Sequence, residues 1–335
     1  MAENIDVVPY SDTDEFRWDR FVLQESINGT FLQSRNFLNY HRKGKFADHS
    51  LIFTKGTNIV AVIPAHIVEQ DGRKCLVSHQ GSTFGGIVLG EQFKKLANVE
   101  AVFEAFHQYV FDNKIDSVQL KMTGDIYTKD VTDILEYYFF MNGYETSCEV
   151  GYYIDFDQYN DEIISNFTAS RRRHYNNSLQ YNLTFKQIFS DDEIELFYDV
   201  LSDNQKKFNK TPIHSIEELL DLKNNRLKDI VQFFGVYSES ELIAGSMVFC
   251  FDKNVFHTQY LACRQDQTDT HANEFLYKHL IDEAKKSGFA KLSFGTSTLE
   301  GGKVLNKSLA QFKEGFGTTA YVNRTYRKNF DFKFI

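Results

Sequence analysis

Four consecutive basic residues, Arg171-Arg172-Arg173-His174, form the densest cationic group in the sequence. They follow Thr168 and Ser170, which are residue types that favour helix starts. Cationic side chains beside the unpaired amides of a helix N-terminus suit a phosphate, a pyrophosphate or a tRNA backbone. The alternative is a solvated basic helix face paired with acidic residues elsewhere, and the residues alone leave both interpretations open.

A glycine-rich segment, Ser78–Gly90, is a second candidate. It lies between a predicted strand and a predicted helix, where glycines allow backbone amides to approach a ligand closely. The alternative is a connection whose glycines are needed only by its turns.

A single lysine, Lys313, is the third candidate. Helical spacing in Leu305–Gly317 predicts that Leu305, Leu309 and Phe312 share one side of a helix. A lysine near a closing strand can neutralise developing charge or hold a phosphate, although most lysines are solvated.

Several common site motifs are missing from the sequence. A P-loop would need glycine at position 297 and a hydroxyl at position 304, which are Ser297 and Val304. The patterns G-x-G-x-x-G, H-E-x-x-H and G-x-S-x-G do not occur. The four cysteines form no C-x-x-C pair and the histidines do not pair with carboxylates at ligand spacing, so the sequence predicts no metal site.

Length and charge limit the class of protein. A chain of 335 residues predicts about two domains. Its formal net charge of −9 argues against stable DNA binding. The sequence lacks the apolar run of about 18 residues that a membrane helix needs, and its acidic N-terminal segment is unlike a signal peptide. We therefore expect a cytoplasmic protein.

Hydrophobic periodicity predicts a mixed α and β protein built by tandem duplication. An order of hairpin, helix and strand occurs at Ile59–Val118 and again at Leu242–Leu292. We expect a domain boundary near Gly151, giving domains at residues 1–150 and 151–335. The hairpin turns and the helices are predicted at these positions: turns at Lys55–Asn58 and Ser238–Ser240, helices at Asp12–Ser26, Glu91–Asn113, Ala169–Tyr181 and Asp191–Phe208, and one ending at Gly288.

Taken together, four segments resemble the FemAB-like branch of the GNAT acyltransferase superfamily. They are FLQSRNFLNYHRKGKFADHSLIF with IVAVIPAHI, SHQGSTFGGIVL, SRRRHYNNSLQYNLTF, and KLSFGTS with LNKSLAQFKEGFG. The resemblance covers nearly the whole chain and implies two GNAT-like domains, each a mixed, largely antiparallel sheet flanked by helices. It also implies transfer of an acyl or aminoacyl group to a primary amine, with family members acting on peptidoglycan precursors from aminoacyl-tRNA.

The chain departs from the family in three places. The segment 264–273, where acetyl-CoA-using members carry a glycine-containing pyrophosphate loop, contains no glycine. Ser293-Phe294-Gly295 stands where the family has D-F-G, and residues 165–208 lack the heptads of a coiled-coil arm. We therefore expect a compact form without an arm, in which acyl-CoA is the less favoured donor.

On this resemblance, Lys313 would stabilise charge during catalysis, and the Gly81–Gly86 loop would contribute to the acceptor site in the cleft between the domains. No tightly bound cofactor is expected, and the donor is either aminoacyl-tRNA or acyl-CoA. The residues expected to bind the donor or its phosphates are Arg172, Arg173 and His41. The residues expected to bind substrate are His79, Gly81, Gly85, Gly86, His257, Gln259, Tyr260 and Ser297.

Three functions remain open at this point. The first is an acyltransferase acting on a primary amine, plausibly of a cell-envelope or peptidoglycan precursor. The second is a CoA-dependent N-acetyltransferase of a small amine or amino sugar. The third is a non-catalytic binding protein with tandem GNAT domains.

Overall fold

The computed structural model describes residues 5–41, 44–207 and 209–331. Its strands are β1 (Asp6–Pro9), β2 (Leu51–Lys55), β3 (Asn58–Ile63), β4 (His66–Gln70), β5 (Arg73–Ser78), β6 (Val88–Leu89), β7 (Ser117–Lys121), β8 (Glu145–Asp155), β9 (Leu183–Ile188), β10 (Val231–Ser238), β11 (Glu241–Phe251), β12 (Val255–Cys263), β13 (Lys291–Thr296), β14 (Thr298–Leu299), β15 (Val304–Leu305) and β16 (Thr319–Asn329). Its α-helices are α1 (Glu15–Arg20), α2 (Arg35–Leu38), α3 (Leu96–Asp112), α4 (Asp133–Met141), α5 (Ala169–Ser178), α6 (Asp191–Lys206), α7 (Ile216–Asp221), α8 (Ala272–Lys286) and α9 (Lys307–Glu314).

The chain folds into two compact units. The first contains the residues up to Glu149 and those from Val322 onward, and the second is Val150–Tyr321. The sequence predicted domains at 1–150 and 151–335, so the assignment of the final segment differs. The reason is β16, whose later residues pair antiparallel with β7, with Thr325 opposite Lys121.

Both units contain the same arrangement of hairpin, helix and parallel strand. In the first unit, β4 and β5 form a hairpin, and β7 returns after α3 to lie parallel to β5. In the second unit, β11 and β12 form a hairpin, and β13 returns after α8 to lie parallel to β12. The tandem duplication predicted from the sequence is therefore confirmed, and each unit has a mixed sheet with helices packed on it.

The repeat begins later in the first unit than the sequence suggested. The predicted hairpin at Lys55–Asn58 is present as β2 and β3, with Gly56 at a φ of +60° in its turn. It belongs, however, to a separate sheet with the order β1-β2-β3-β6, and the hairpin equivalent to β11 and β12 is β4 and β5. Strand patterning locates a hairpin but does not say which sheet it joins.

The first unit buries the apolar face of α3 against its strands. Val99, Val102, Phe103, Phe106 and Val110 recur at helical spacing and are all buried. Strand residues and α4 complete this core. Removing this much apolar surface from water, at about 25 cal/mol per Å², is the main stabilising term for the unit.

In the second unit, the sheet order is β8-β13-β12-β11-β10-β9. Helix α8 packs on it through Phe275, Leu276, Leu280, Ile281 and Ala284. Gly288, at a φ of +77°, follows the end of α8 as predicted, because glycine adopts this backbone conformation without a Cβ penalty.

The predicted helices are present with small differences at their ends. Residues from Asp12 to Glu25 are helical in three successive geometries, and the helix predicted from Glu91 is a short 3₁₀ turn followed by α3. Helix α6 ends at Lys206, and Phe208, its predicted end, lies outside the described residues. Between Ser165 and Lys207 the chain forms α5, β9 and α6, with no coiled-coil arm, as predicted. Among the helices described, none has both the length and the apolar character that crossing a membrane requires.

Candidate active site

The parallel strands β12 and β13 separate partway along their length. They pair only from Val255 opposite Lys291 to His257 opposite Ser293, although both strands continue beyond these residues. Opposite β8, the register shifts between Ser293 and Gly295. On its other side, β12 has a bulge against β11 at Gln259. The two strands therefore open into a V whose apex lies at His257 and Ser293.

Lys313 reaches the open end of this V from α9. Its side chain is 4% exposed, and Nζ donates hydrogen bonds to Gly295 O at 3.0 Å and Thr296 O at 2.6 Å. Burial lowers the pKa of Lys313 to about 7, because the charged ammonium loses its hydration. At neutral pH this amine is poised between its charged and neutral forms, which is unusual for a lysine and typical of a functional group.

The helix that carries Lys313 is oriented differently from the prediction. Asn306 caps α9, with its Oδ1 accepting from the backbone N–H of Leu309 at 3.1 Å. Leu305 and Leu309, predicted to share an apolar side, are exposed, whereas Ala310 and Lys313 are buried and Phe312 is partly buried. Leu305 lies in β15, before the helix, and Leu309 is on the exposed side of α9, so the helix turns its lysine inward and not its leucine.

A chain of polar side chains lies at the apex of the V. His257 Nδ1 and Ser293 Oγ are 3.1 Å apart, and Ser293 Oγ lies 3.4 Å from the Tyr321 hydroxyl. Burial, opposed by a hydrogen bond with the Gln259 side chain and assisted by the nearby Lys313 charge, lowers the pKa of His257 to about 4. His257 is therefore neutral at pH 7. It is a hydrogen-bonding group here and carries no charge.

Two positions of this site require glycine, one for its backbone conformation and one for close packing. Gly295 has a φ of +69°, which other L-residues rarely adopt, and its carbonyl faces Lys313. A Cβ on Gly151 would lie 2.5 Å from the ring of Tyr321. A side chain at Gly151 would therefore displace Tyr321 from Ser293.

The remaining predicted residues of the second unit lie on or near the same strands. Gln259 is half-buried and bonds His257. The Tyr260 hydroxyl lies 2.6 Å from His214 Nδ1, and burial raises the pKa of Tyr260. Ser297 is buried after the end of β13, and its hydroxyl has no hydrogen-bond partner among the described residues. Its backbone N–H donates to Val150 O at 2.7 Å.

The arginine cluster divides into one partly buried and two exposed members. Arg172 and Arg173, the predicted donor-binding residues, are exposed, and Arg172 donates to Phe167 O at 3.1 Å. Arg171 is the partly buried member. Its guanidinium bonds Glu274 on α8 and lies 4.3 Å from the ring centroid of Phe312. Two arginines are thus available to an anion, and the third holds helices together.

The glycine-rich loop of the first unit uses its amides internally. The N–H of Gly81 donates to His79 Nδ1, that of Gly85 to Lys121 O at 2.9 Å, and that of Gly86 to the hydroxyl of Ser78. The expectation that these amides would be offered to a ligand is not met, because each already has an acceptor. A Cβ on Gly81 would lie 2.1 Å from His41 Nε2, so this glycine is required by packing.

Aromatic and imidazole rings surround that loop. His41 Nε2 lies 2.8 Å from Gly81 O, and the ring centroids of His66 and His79 are 4.8 Å apart, each 5.0 Å from Phe46. Burial, together with the neighbouring His66, lowers the pKa of His79 to about 3. His41, which the sequence assigned to the donor, thus lies beside Gly81, which it assigned to the substrate, and no motif singled out Phe46 or His66.

Sequence reasoning missed the functional contacts that join distant segments. Arg171 could have been distinguished from its neighbours, because Tyr175 and Ser178 lie on the same face of α5 and are buried. Ser293 was noted only as a departure from the family pattern. Tyr321, which lies against both Ser293 and Gly151, carried no sequence signal.

Comparison with solved structures identifies the fold of this chain, whereas comparison of sequences identifies no family. No family model matches the chain, and no curated protein matches it in sequence. Among solved structures, FemX superposes with a TM-score of 0.67 at 10% identity, covering 96% of each chain.

Two further solved structures have the same fold. The C-terminal domain of a putative lysylphosphatidylglycerol synthetase from Agrobacterium fabrum gives a TM-score of 0.61 at 10% identity, covering 96% of this chain and 93% of the other. A tandem GNAT protein from the clavulanic acid biosynthesis pathway gives 0.56 at 8% identity, covering 97% and 98%. The chain therefore has the tandem GNAT fold that its FemAB-like resemblance implied.

Proposed function

We propose that this protein is an acyltransferase that moves an acyl or aminoacyl group onto a primary amine, with a cell-envelope or peptidoglycan precursor as the acceptor. The observation that carries the proposal is the position of Lys313. A buried lysine with a pKa near 7 stands at the open end of a splayed strand pair, where a reacting carbonyl can lie beside strand amides.

The proposed reaction is aminolysis of an ester or thioester. The neutral amine nitrogen attacks the carbonyl carbon, a C–N bond forms, and the C=O electron pair moves onto oxygen. The oxyanion then collapses and breaks the C–O or C–S bond, and the proton lost by the amine goes to the departing oxygen or sulfur. In its ammonium form, Lys313 bonds Gly295 O and Thr296 O and has a third N–H to donate to the oxyanion.

The other residues of the site have supporting roles in this proposal. Gln259 and the neutral His257 provide hydrogen-bonding groups near the apex of the V for the acceptor amine. Tyr260 and Ser297 extend the lining, and the unpartnered Ser297 hydroxyl is a group that substrate could engage. In the first unit, His79 and the loop at Gly81, Gly85 and Gly86 form a substrate-binding surface through side chains and carbonyls.

We propose aminoacyl-tRNA, in preference to acyl-CoA, as the donor. A CoA pyrophosphate would need free amides in the loop before α8. The amides of Gln265, Gln267 and His271 already donate to Asp203, Arg264 and Thr268. The exposed Arg172 and Arg173 suit the phosphates of a polynucleotide, and His41 is the corresponding candidate in the first unit. The name lysylphosphatidylglycerol synthetase, borne by one of the similar structures, also denotes a product that contains an amino acid.

A ligand panel tests the proposal directly. Aminoacyl-tRNA or a UDP-linked peptidoglycan precursor is expected to raise the melting temperature, because a ligand that binds only the folded state stabilises it. Combining the two should give an aminoacylated precursor by mass spectrometry. Stabilisation by CoA and acetyl-CoA would instead favour the N-acetyltransferase, and binding without any transfer product would favour the non-catalytic binding protein.

The charge on Lys313 makes a prediction about pH. Because the ammonium form is the one that stabilises the oxyanion, and its pKa is about 7, the contribution of Lys313 to kcat/KM should be full below pH 7 and fall above it. The acceptor amine must be neutral to attack, so its own contribution to kcat/KM rises with pH. The measurement is therefore the ratio of kcat/KM for wild type to that for Lys313→Met between pH 6 and 9. A ratio that rises with pH would instead make Lys313 a proton acceptor.

A further inference from the structure

Three metal-ligating side chains meet at the N-terminal end of α8. They are His174 from α5, His271 immediately before α8, and Glu274 in its first turn, and their ligand atoms lie within 4.8 Å of one another. We propose that they bind a divalent transition metal ion, with zinc as the best match. This inference concerns a site separate from the Lys313 chemistry and does not depend on the proposed acyl transfer.

The fold brings the three donor side chains together, because they are not all neighbours in the sequence. His271 has a φ of +54°, and its imidazole stacks on that of His174 with centroids 4.6 Å apart and planes 7° from parallel. His174 Nδ1 lies 3.4 Å from Glu274 Oε1. The sequence predicted no metal site because His174 lies far from the other two in the chain, and only the fold of α5 against α8 joins them.

The donor set is the one that zinc takes in proteins. Imidazole nitrogens and a carboxylate oxygen bind Zn²⁺ at roughly 2.0–2.2 Å, so donors in a tetrahedral site lie roughly 3.4 Å apart. An imidazole binds a metal ion in the plane of its ring, so the two stacked rings must rotate out of their nearly parallel arrangement as well as move closer to Glu274. Both imidazoles are partly exposed, whereas Glu274 is buried. Three protein ligands leave the fourth position to water or an anionic group.

Arg171 competes with the metal ion for the carboxylate. Its guanidinium bonds Glu274 Oε1, the oxygen nearest His174, and supplies the positive charge that this buried acid requires. A bound zinc ion would supply that charge in its place. Removing Arg171 should therefore strengthen zinc binding. If the three side chains served only to hold the fold together, removing Arg171 would not strengthen zinc binding.

The test is titration of the full chain, first treated with chelator, with zinc chloride in competition with a chromogenic chelator. One zinc per chain is expected, with the affinity at least tenfold weaker in His174→Ala and in His271→Ala. His279→Gln is the matched control, because His279 lies on α8 outside the cluster, with its Nδ1 2.8 Å from Phe275 O. Far-ultraviolet circular dichroism confirms that each variant is folded.

Two further measurements make the result decisive. Arg171→Met, which keeps apolar contact with Phe312, should bind zinc several-fold more tightly. Cobalt substitution should give a visible spectrum without thiolate charge transfer, which separates this site from the exposed Cys148. Zinc binding that is absent, or that both histidine variants retain, overturns the proposal, as does a weaker affinity in Arg171→Met.

Discussion

Replacing Lys313 with methionine is expected to lower kcat for amide formation by about 100- to 1,000-fold, the usual loss when one oxyanion donor is removed. Methionine keeps the apolar stem that α9 buries and removes only the ammonium group. KM should change little, because the lost interaction forms in the transition state. The measurement is steady-state kinetics with the donor and acceptor identified by the ligand panel.

The matched control for this prediction lies on the same helix. Lys307 is exposed at the start of α9, and Lys307→Met should leave kcat unchanged. If Lys313→Met retained wild-type kcat while remaining folded, Lys313 would have no part in the chemistry. Its burial would then serve only to hold the carbonyls of Gly295 and Thr296.

Replacing Glu274 with glutamine is expected to lower the free energy of unfolding by about 3 kcal/mol, because breaking a buried ion pair leaves one charge uncompensated. The side chains of Arg171 and Glu274 are 13% and 8% exposed, so water can replace little of the lost interaction. The Arg171 guanidinium also lies over the ring of Phe312, so a movement away from residue 274 in the Glu274→Gln variant would lose this contact. The measurement is the urea unfolding midpoint, in a buffer with chelator so that zinc does not contribute.

Two further variants serve as controls for this prediction. Glu283→Gln alters another acid of α8, whose Oε1 accepts from Ser287 Oγ, and should change stability by no more than about 0.5 kcal/mol. Arg171→Met combined with Glu274→Gln should recover most of the loss, because no buried charge remains without a partner. A cost below about 1 kcal/mol for Glu274→Gln alone would show that water reaches the pair.

The elements of the fold were predictable where local patterns determine them. The turns at Lys55–Asn58 and Ser238–Ser240, the end of α8 at Gly288 and the repeat of hairpin, helix and strand all follow from residue spacing and turn chemistry. The buried side of α9 did not follow, because Leu309 fits the helical spacing with Phe312 yet lies in water, and Leu305 is in β15 and not in the helix. Periodicity identifies an apolar side but not whether another element covers it.

The sequence predicted several residues of the candidate site but not the contacts that they make. Lys313, His257 and Gln259 were identified in advance, and the structure adds the hydrogen-bond partners of Lys313 and His257 and their lowered pKa values. Ser293 and Tyr321 escaped prediction, since their importance comes from pairing across segments that are far apart in sequence. Burial lowers the pKa of Lys313, and the extent of burial cannot be read from the order of residues in the sequence.

The return of β16 to the first unit governs the order in which the protein can be completed on the ribosome. Strand β7 receives its antiparallel neighbour from Thr325–Asn329, which emerges only after the whole second unit has been synthesised. Until then, the backbone N–H and C=O groups along one edge of β7 are unpaired, and another strand could pair with them. The sheet of the first unit therefore stays incomplete until Thr325–Asn329 have been synthesised, and a chain cut at residue 150 would leave that edge without its partner.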